Sequence, residues 1–239
     1  GLPRQVVRPN CPGPEHRMRH CQPPNSQRGF TLVEIAVVLV IIGLLLGGIL
    51  KGQELVENSR VKNAANDFSS IKAASYGYLD RYRSMPGDDG PIGTLQGRGS
   101  DWAPVTVAGN RDGAIGAGAN PFAAPTGEHL AFWQQLRAAG FLTGSASDTG
   151  AAALAKNAFG GVTGVASLTT QLGGFNARAV CMSQVPGKGA IALDNQLDDG
   201  KPGSGTVRAT LQAGAGNVAP GAVAASYSED QRYTVCTKL

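Results

Sequence analysis

Histidine is scarce in this chain, and the common catalytic motifs are missing. Of the three histidines in 239 residues, only His129 lies beyond the first 29 positions. There is no Gly-x-Ser-x-Gly elbow, no Gly-x-Gly-x-x-Gly fingerprint, no Gly-Lys-Ser/Thr loop and no Cys-x-x-Cys pair. The usual nucleophile–base, nucleotide and zinc sites are therefore not indicated. We expect a non-enzymatic protein without a cofactor, and a partly buried structural role for His129.

An excess of one charge is also missing from most of the chain. The formal charge is +4, but the first 29 residues hold five of the 21 basic residues and one of the 17 acidic ones. The remainder carries both signs in equal number. A general nucleic-acid-binding surface is therefore not indicated, and nucleic acid is not expected as a primary partner.

The chain does have one long apolar run near its N-terminus. Residues 35–50 include no charged side chain. With the residues before them they give about 20 positions, enough at ~1.5 Å per residue to span a bilayer. Arginines precede the run and mixed charges follow it, which favours a cytoplasmic N-terminus and an exported C-terminal part. A secretory signal would have a shorter apolar core, with its cleavage site after it, so we expect this helix to be retained.

One carboxylate, Glu34, lies at the start of the apolar run. An ionised side chain in a membrane helix costs on the order of 2–3 kcal/mol unless it is neutralised. The segment 27–34 reads QRGFTLVE. Cleavage between Gly29 and Phe30 would create an α-amino group one helical turn from Glu34, or within reach of Glu34 on a neighbouring copy.

This arrangement closely resembles the signature of type IV prepilins and type II secretion pseudopilins, and the resemblance runs from Gly29 to about Tyr82. It implies cleavage after Gly29, N-methylation of Phe30 and an assembly role for Glu34. The implied partners are a prepilin peptidase/N-methyltransferase, the membrane, an inner-membrane assembly platform and other pilins or copies of this chain. The alternative is an ordinary signal anchor with a stray glutamate.

The resemblance predicts a structural subunit of a type IV pilus that polymerises through its N-terminal helix. It would span the inner membrane once, with its head in the periplasm, before assembly into an extracellular pilus. One alternative is a type II secretion pseudopilin, assembled into a periplasmic pseudopilus. Another is a minor or tip pilin whose exposed Trp102, with Arg98 and Arg111, contacts a surface, a sugar or DNA.

We divide the chain into a leader (1–29), a membrane and filament-core helix (30–53) and an exported head (54–239). Met18 is the expected true start of the leader, and a genuine long leader is the alternative. Within the helix, Gly43 and Gly47 have the small-residue spacing that lets helices approach closely in lipid. Gly43 is therefore an expected assembly position. The alternative is that the glycines weaken this stretch of helix, so that it loosens when the subunit leaves the bilayer.

The cysteines divide in the same way. Cys11 and Cys21 lie in the leader, whereas Cys181 and Cys236 are the only two in the exported part. Thiols oxidise in exported compartments, so a Cys181–Cys236 disulfide is expected, and it would match the disulfide-bounded C-terminal region of pilins. Two unpaired thiols are the alternative.

The predicted fold is α+β, with a long N-terminal helix packed on an antiparallel β-sheet head. The membrane half of the helix would continue into an amphipathic half, because apolar residues recur every three or four positions and no proline interrupts residues 31–85. The glycine-rich segment 87–127 is interpreted as a long surface connection, and 128–139 as a short helix. The predicted strands are 161–168, 177–183, 189–193, 206–211 and 233–237.

Two acidic loops offer the oxygen ligands that calcium prefers. The first contains Asp194, Asn195, Asp198 and Asp199. The second would join Asp88 and Asp89 to Asn110, Arg111, Asp112 and Gly113. Neither has the full EF-hand spacing, and such clusters also form turns, so calcium is a hypothesis beside plain turn formation.

Overall fold

The computed structural model describes residues 31–116, 120–123 and 126–239. Gly29, Phe30, Cys11 and Cys21 lie outside the described residues. The helices are α1 (Leu32–Tyr82), α2 (Ile92–Gln96), α3 (Gly127–Ala138), α4 (Gln171–Gly174) and α5 (Gly187–Leu197), with 3-10 turns at Ser100–Trp102 and Gly150–Ala153. The strands are β1 (Ala155–Lys156), β2 (Val162–Leu168), β3 (Ala177–Pro186), β4 (Val207–Leu211) and β5 (Arg232–Lys238). A long N-terminal helix followed by an antiparallel sheet confirms the predicted α+β class.

α1 combines two different surfaces. The chain divides into two compact units between Gly48 and Ile49, and in the first unit every described side chain is exposed. An 18-residue stretch of α1 has a mean hydropathy of 2.8, so this helix is long and apolar enough to cross a membrane.

In the second unit α1 buries one face. The buried residues recur at intervals of three and four, as predicted for an amphipathic helix; they are Val61, Ala64, Ala65, Phe68, Ile71, Ala74, Ser75 and Tyr78. The helix ends at Tyr82, because Arg83 adopts a φ of 55° and Pro86 follows. A left-handed residue of this kind commonly ends a helix.

The sheet has the strand order β1-β2-β3-β5-β4, and all its neighbours are antiparallel. Cys181 on β3 lies directly opposite Cys236 on β5, and a disulfide joins them. This is the pair expected from the sequence.

Alternation along the strands gives the sheet two buried faces. On β3, Val180 and Met182 join the core that contains the buried face of α1. Their neighbours Ala179 and Cys181 point the other way, into a smaller cluster with Phe175. The disulfide therefore lies on the sheet face opposite α1.

The prediction of a strand at 189–193 was wrong, because these residues lie in α5. Ala190, Leu193 and Asp194 are buried along one side of this helix, at spacings of three and one. A short apolar run of this length fits either a strand or a helix, and periodicity alone does not separate them.

The interpretation of 87–127 as a surface connection was also wrong. Leu95, Trp102, Val105 and Ile115 are buried in the main core, and α2 lies within this segment. These apolar residues are spaced irregularly along a glycine-rich chain, so they produce no periodic pattern. Trp102, expected to be exposed, is only 4% exposed.

Candidate functional site

The first candidate site is the start of α1, where Thr31 and Glu34 bond each other reciprocally. The Thr31 backbone N–H and hydroxyl each donate to Glu34 Oε2 at 2.8 Å. The Glu34 N–H donates to Thr31 Oγ1 at 3.2 Å. This is a capping box, which satisfies backbone donors that a helix start leaves unpaired.

The sequence interpretation considered only the Phe30 α-amino group as a partner for Glu34 and missed Thr31. The signal was present, because Thr-x-x-Glu before an apolar run is the capping-box pattern. These hydrogen bonds orient the carboxylate but leave its negative charge uncompensated, since Thr31 is neutral. Glu34 and Thr31 are both exposed, so the carboxylate is accessible to a cation.

The apolar surface that follows Glu34 is the second part of this site. Large apolar side chains from Leu32 to Leu50 are between 45% and 89% exposed. A Cβ atom added at Gly43 or Gly47 would meet nothing within 4 Å. A continuous apolar surface of this kind indicates contact with lipid or with another protein.

The residues proposed for a binding tip lie together, but they bond inwards. Arg98 stacks on the rings of Tyr82 and Trp102, with its Cζ 4.3 Å and 4.7 Å from the two centroids. It also donates to Asp89 Oδ2 at 2.8 Å, while Arg111 Nη2 lies 3.5 Å from Asp89 Oδ1. The two arginines compensate the charge of this fully buried carboxylate. Trp102 is buried and the Arg98 side chain is largely so, whereas the Arg111 side chain is 57% exposed.

Tyr78 belongs to the same cluster. Its hydroxyl donates to Asp89 Oδ2 at 2.8 Å and accepts from Arg98 Nη1 at 3.0 Å. Burial, together with the hydrogen bond to Asp89, raises the pKa of the Tyr78 hydroxyl.

His129 lies in the first turn of α3 and bonds the backbone. Its Nδ1 is 2.6 Å from the carbonyl oxygen of Val165, so Nδ1 carries the proton and donates to that acceptor. The side chain therefore ties α3 to β2.

Of the first predicted calcium loop, Asp194, Asp198 and Asp199 place carboxylate oxygens within 4.8 Å of one another. Asp194 accepts from the Tyr227 hydroxyl at 2.7 Å and from the Gly200 N–H at 3.2 Å. Burial raises the pKa of the Asp194 carboxyl, and these two hydrogen bonds oppose that shift.

The other two carboxylates of this loop are also bonded. Asp198 accepts from the N–H groups of Thr206 and Val207, and Asp199 accepts from Ser204 and Lys201. Protein donors thus account for this arrangement, and calcium at Asp194, Asn195, Asp198 and Asp199 stays a prediction.

The second acidic loop has a composition different from the one expected. Asp88 and Asp112 come together, but Asp89 points to the arginines described above. The third member is Glu128, which sequence reasoning placed only in a helix. No local pattern links Glu128 to the other two, since it follows Asp88 by 40 positions and Asp112 by 16 positions in the sequence.

An exposed apolar helix with a carboxylate at its start, followed by an α+β head, fits a single-pass membrane protein. Residues 24–50 match the family model of the prokaryotic N-terminal methylation motif, the signature of type IV prepilins and pseudopilins. No curated protein and no solved structure matches the chain. The motif supports a protein of the type IV pilin or pseudopilin class, whose members are structural subunits.

Proposed function

We propose that this chain is a structural subunit of a type IV pilus. The methylation motif at residues 24–50 carries the proposal, because it contains both the processing residues and the helix that would assemble. In this scheme the chain enters the inner membrane with its N-terminus in the cytoplasm and its head in the periplasm. A prepilin peptidase then cleaves after Gly29 and methylates Phe30.

Assembly would place the apolar half of α1 in the core of the filament. An ionised carboxylate in apolar surroundings is costly unless a cation pairs with it. Thr31 supplies hydrogen bonds but no positive charge, so Glu34 still requires a counter-charge. The Phe30 amine of a neighbouring copy meets this requirement and sets the axial position of one helix against the next. Gly43 lets neighbouring helices approach closely.

The test is mass spectrometry of the protein extracted from membranes. The expected mass is that of a chain beginning at Phe30 with one added methyl group and a Cys181–Cys236 disulfide. Extracts from cells that lack the prepilin peptidase provide the control and should contain the unprocessed chain. An intact Gly29–Phe30 bond in peptidase-positive cells would overturn the proposal.

A type II secretion pseudopilin uses the same processing and the same helix, so a second experiment separates the two. Deletion of the gene should remove surface filaments seen by electron microscopy and leave protein secretion intact. Loss of secretion with normal surface filaments would favour the pseudopilin. An adhesive or DNA-binding tip is less well supported, because Trp102 is buried and Arg98 bonds Asp89.

A further inference from the structure

Three carboxylates from separate parts of the chain meet near the start of α3. Asp88 follows the end of α1, Asp112 lies in the loop before α3, and Glu128 is in the first turn of α3. Each offers an oxygen, and the three oxygens lie within 4.8 Å of one another. Ionised carboxylates repel one another at this distance, and a cation or a proton between them relieves the repulsion.

Asp88 supplies a second, separate observation. Its side chain is buried, with 6% of the residue exposed. Oδ2 accepts from the Gly113 N–H at 2.9 Å, but Oδ1 has no hydrogen-bond partner among the described residues. A buried carboxylate oxygen without a partner is destabilising, so this position indicates a group that the described residues do not supply.

The nearby arginines do not supply that group. Arg98 and Arg111 both pair with Asp89, at 2.8 Å and 3.5 Å. Among the described residues Asp88, Asp112 and Glu128 form no ion pair within 4.0 Å. The acid next to Asp88 in sequence is thus compensated, whereas the cluster of three is not.

The loop between Asn110 and Gly116 holds the other two carboxylates in place. Glu128 accepts from the N–H of Asn110 at 3.2 Å and from that of Gly116 at 2.9 Å. Asp112 accepts from the Ala114 N–H at 2.8 Å and from Asn110 Nδ2 at 3.0 Å. Each carboxylate oxygen has two lone pairs, so these bonds leave acceptor capacity on both acids.

We propose that Asp88, Asp112 and Glu128 bind one divalent cation, and that this cation is calcium. All three metal ligands would be carboxylate oxygens. Hard cations such as calcium prefer oxygen ligands, whereas zinc is commonly bound by nitrogen and sulfur ligands. Calcium accepts irregular geometry and ligands from separate segments, whereas magnesium requires a near-ideal octahedron. The ion joins the end of α1, the loop before α3 and α3 itself, and so stabilises the head.

The experiment uses the full chain purified in detergent and stripped of metal with a chelator. Calcium chloride is titrated by calorimetry, and thermal unfolding is followed with and without calcium. The wild-type chain should release or take up heat on binding and melt at a higher temperature in calcium, with a smaller response to magnesium. Absence of any calcium response in the wild-type chain would overturn the proposal.

Substitutions locate the site. Asp112→Asn, at an exposed position, and Glu128→Gln should each weaken calcium binding by about tenfold or more. Asp88→Asn should abolish binding yet raise the melting temperature in chelator, because it removes an uncompensated buried charge. A residue with a purely structural role is not expected to show both effects, loss of calcium binding and a higher melting temperature in chelator.

Two further variants complete the design. Asp101→Asn changes an exposed acid outside both acidic loops, and it should bind calcium and melt as the wild type does. Asp199→Asn changes the other acidic loop and should leave this binding event unchanged. If calcium binding survives Asp112→Asn and is lost in Asp199→Asn, the ion belongs to the Asp194 loop and the proposal is wrong.

Discussion

Thr31 and Glu34 bond each other across the first turn of α1, with the Thr31 N–H and hydroxyl both 2.8 Å from the same carboxylate oxygen. This pair gives Glu34 two separable properties. Its oxygens cap the helix, and its charge requires a partner. Because glutamine serves in a capping box as glutamate does, the two properties can be tested independently.

Glu34→Gln should permit cleavage after Gly29 but strongly reduce filament yield, because it keeps the cap and removes the charge that pairs with the Phe30 amine. Glu34→Ala removes the charge as well and should likewise permit cleavage and reduce filament yield. The measurement is the amount of sheared filament per cell by immunoblot, with processing of the membrane-bound chain scored on the same cells.

Thr31→Ala is the matched control, since it weakens the cap and leaves the charge. It should cost about 1 kcal/mol of helix stability and retain most of the filament yield. If Thr31→Ala abolishes filaments while Glu34→Gln assembles normally, then Glu34 acts as a cap and the counter-charge mechanism fails.

Much of the fold could be predicted because it depends on regular patterns. The spacing from Val61 to Tyr78 predicted the buried face of α1, and four of the predicted strands coincide with β2, β3, β4 and β5. The two exported cysteines were enough to expect a disulfide. In each of these cases the signal lies within one element or in the count of a residue type.

The rest depended on contacts between distant parts of the chain. Trp102 is buried because α1 presents Tyr78 and Tyr82 beside it, with ring centroids 6.2 Å and 5.3 Å away. Glu128 meets Asp88 only because the loop before α3 folds back. Loop closure of this kind leaves no periodic trace in the sequence, so neither Trp102 nor Glu128 could be placed in advance.

Gly43→Leu should reduce assembly without lowering the stability of the isolated chain. A Cβ atom added at Gly43 meets nothing within 4 Å inside the described chain, but a leucine side chain would keep neighbouring helices apart. Filament yield and thermal unfolding of the detergent-purified monomer are measured together. Gly93→Ala, in α2 of the head, also meets nothing within 4 Å and should leave filament yield unchanged. A wild-type yield from Gly43→Leu would remove Gly43 from the packing surface.

Loss of the Cys181–Cys236 disulfide should destabilise the head. The bond joins residues 55 positions apart, and closing a loop of this length stabilises by about 4 kcal/mol in the chain-entropy model. The double substitution Cys181→Ala and Cys236→Ala should therefore lower the free energy of unfolding by about this amount in urea titrations. A reducing agent should destabilise the wild type similarly and leave the double variant unaffected. Equal stability of the wild type and the double variant would contradict the assignment.

The stability of the head should depend on Tyr78 in a pH-dependent way. Tyr78→Phe removes a buried hydrogen bond to Asp89, which also pairs with Arg98, and should cost about 1–3 kcal/mol at neutral pH. Burial raises the pKa of Tyr78 in the folded chain above the ordinary value of 10.0. The contribution of the Tyr78 hydroxyl to the free energy of unfolding is then fully present below pH 10. It is lost as the pH rises further, because Tyr78 ionises at a lower pH in the unfolded chain than in the folded chain. The difference in free energy of unfolding between the wild type and Tyr78→Phe, measured by urea titration, should accordingly narrow above pH 10.

The control is Tyr76→Phe, at a position that is 56% exposed, and its stability should follow that of the wild type at every pH. A difference between the wild type and Tyr78→Phe that stays constant from neutral pH to pH 11 would show that Tyr78 ionises as readily in the folded head as in the unfolded chain.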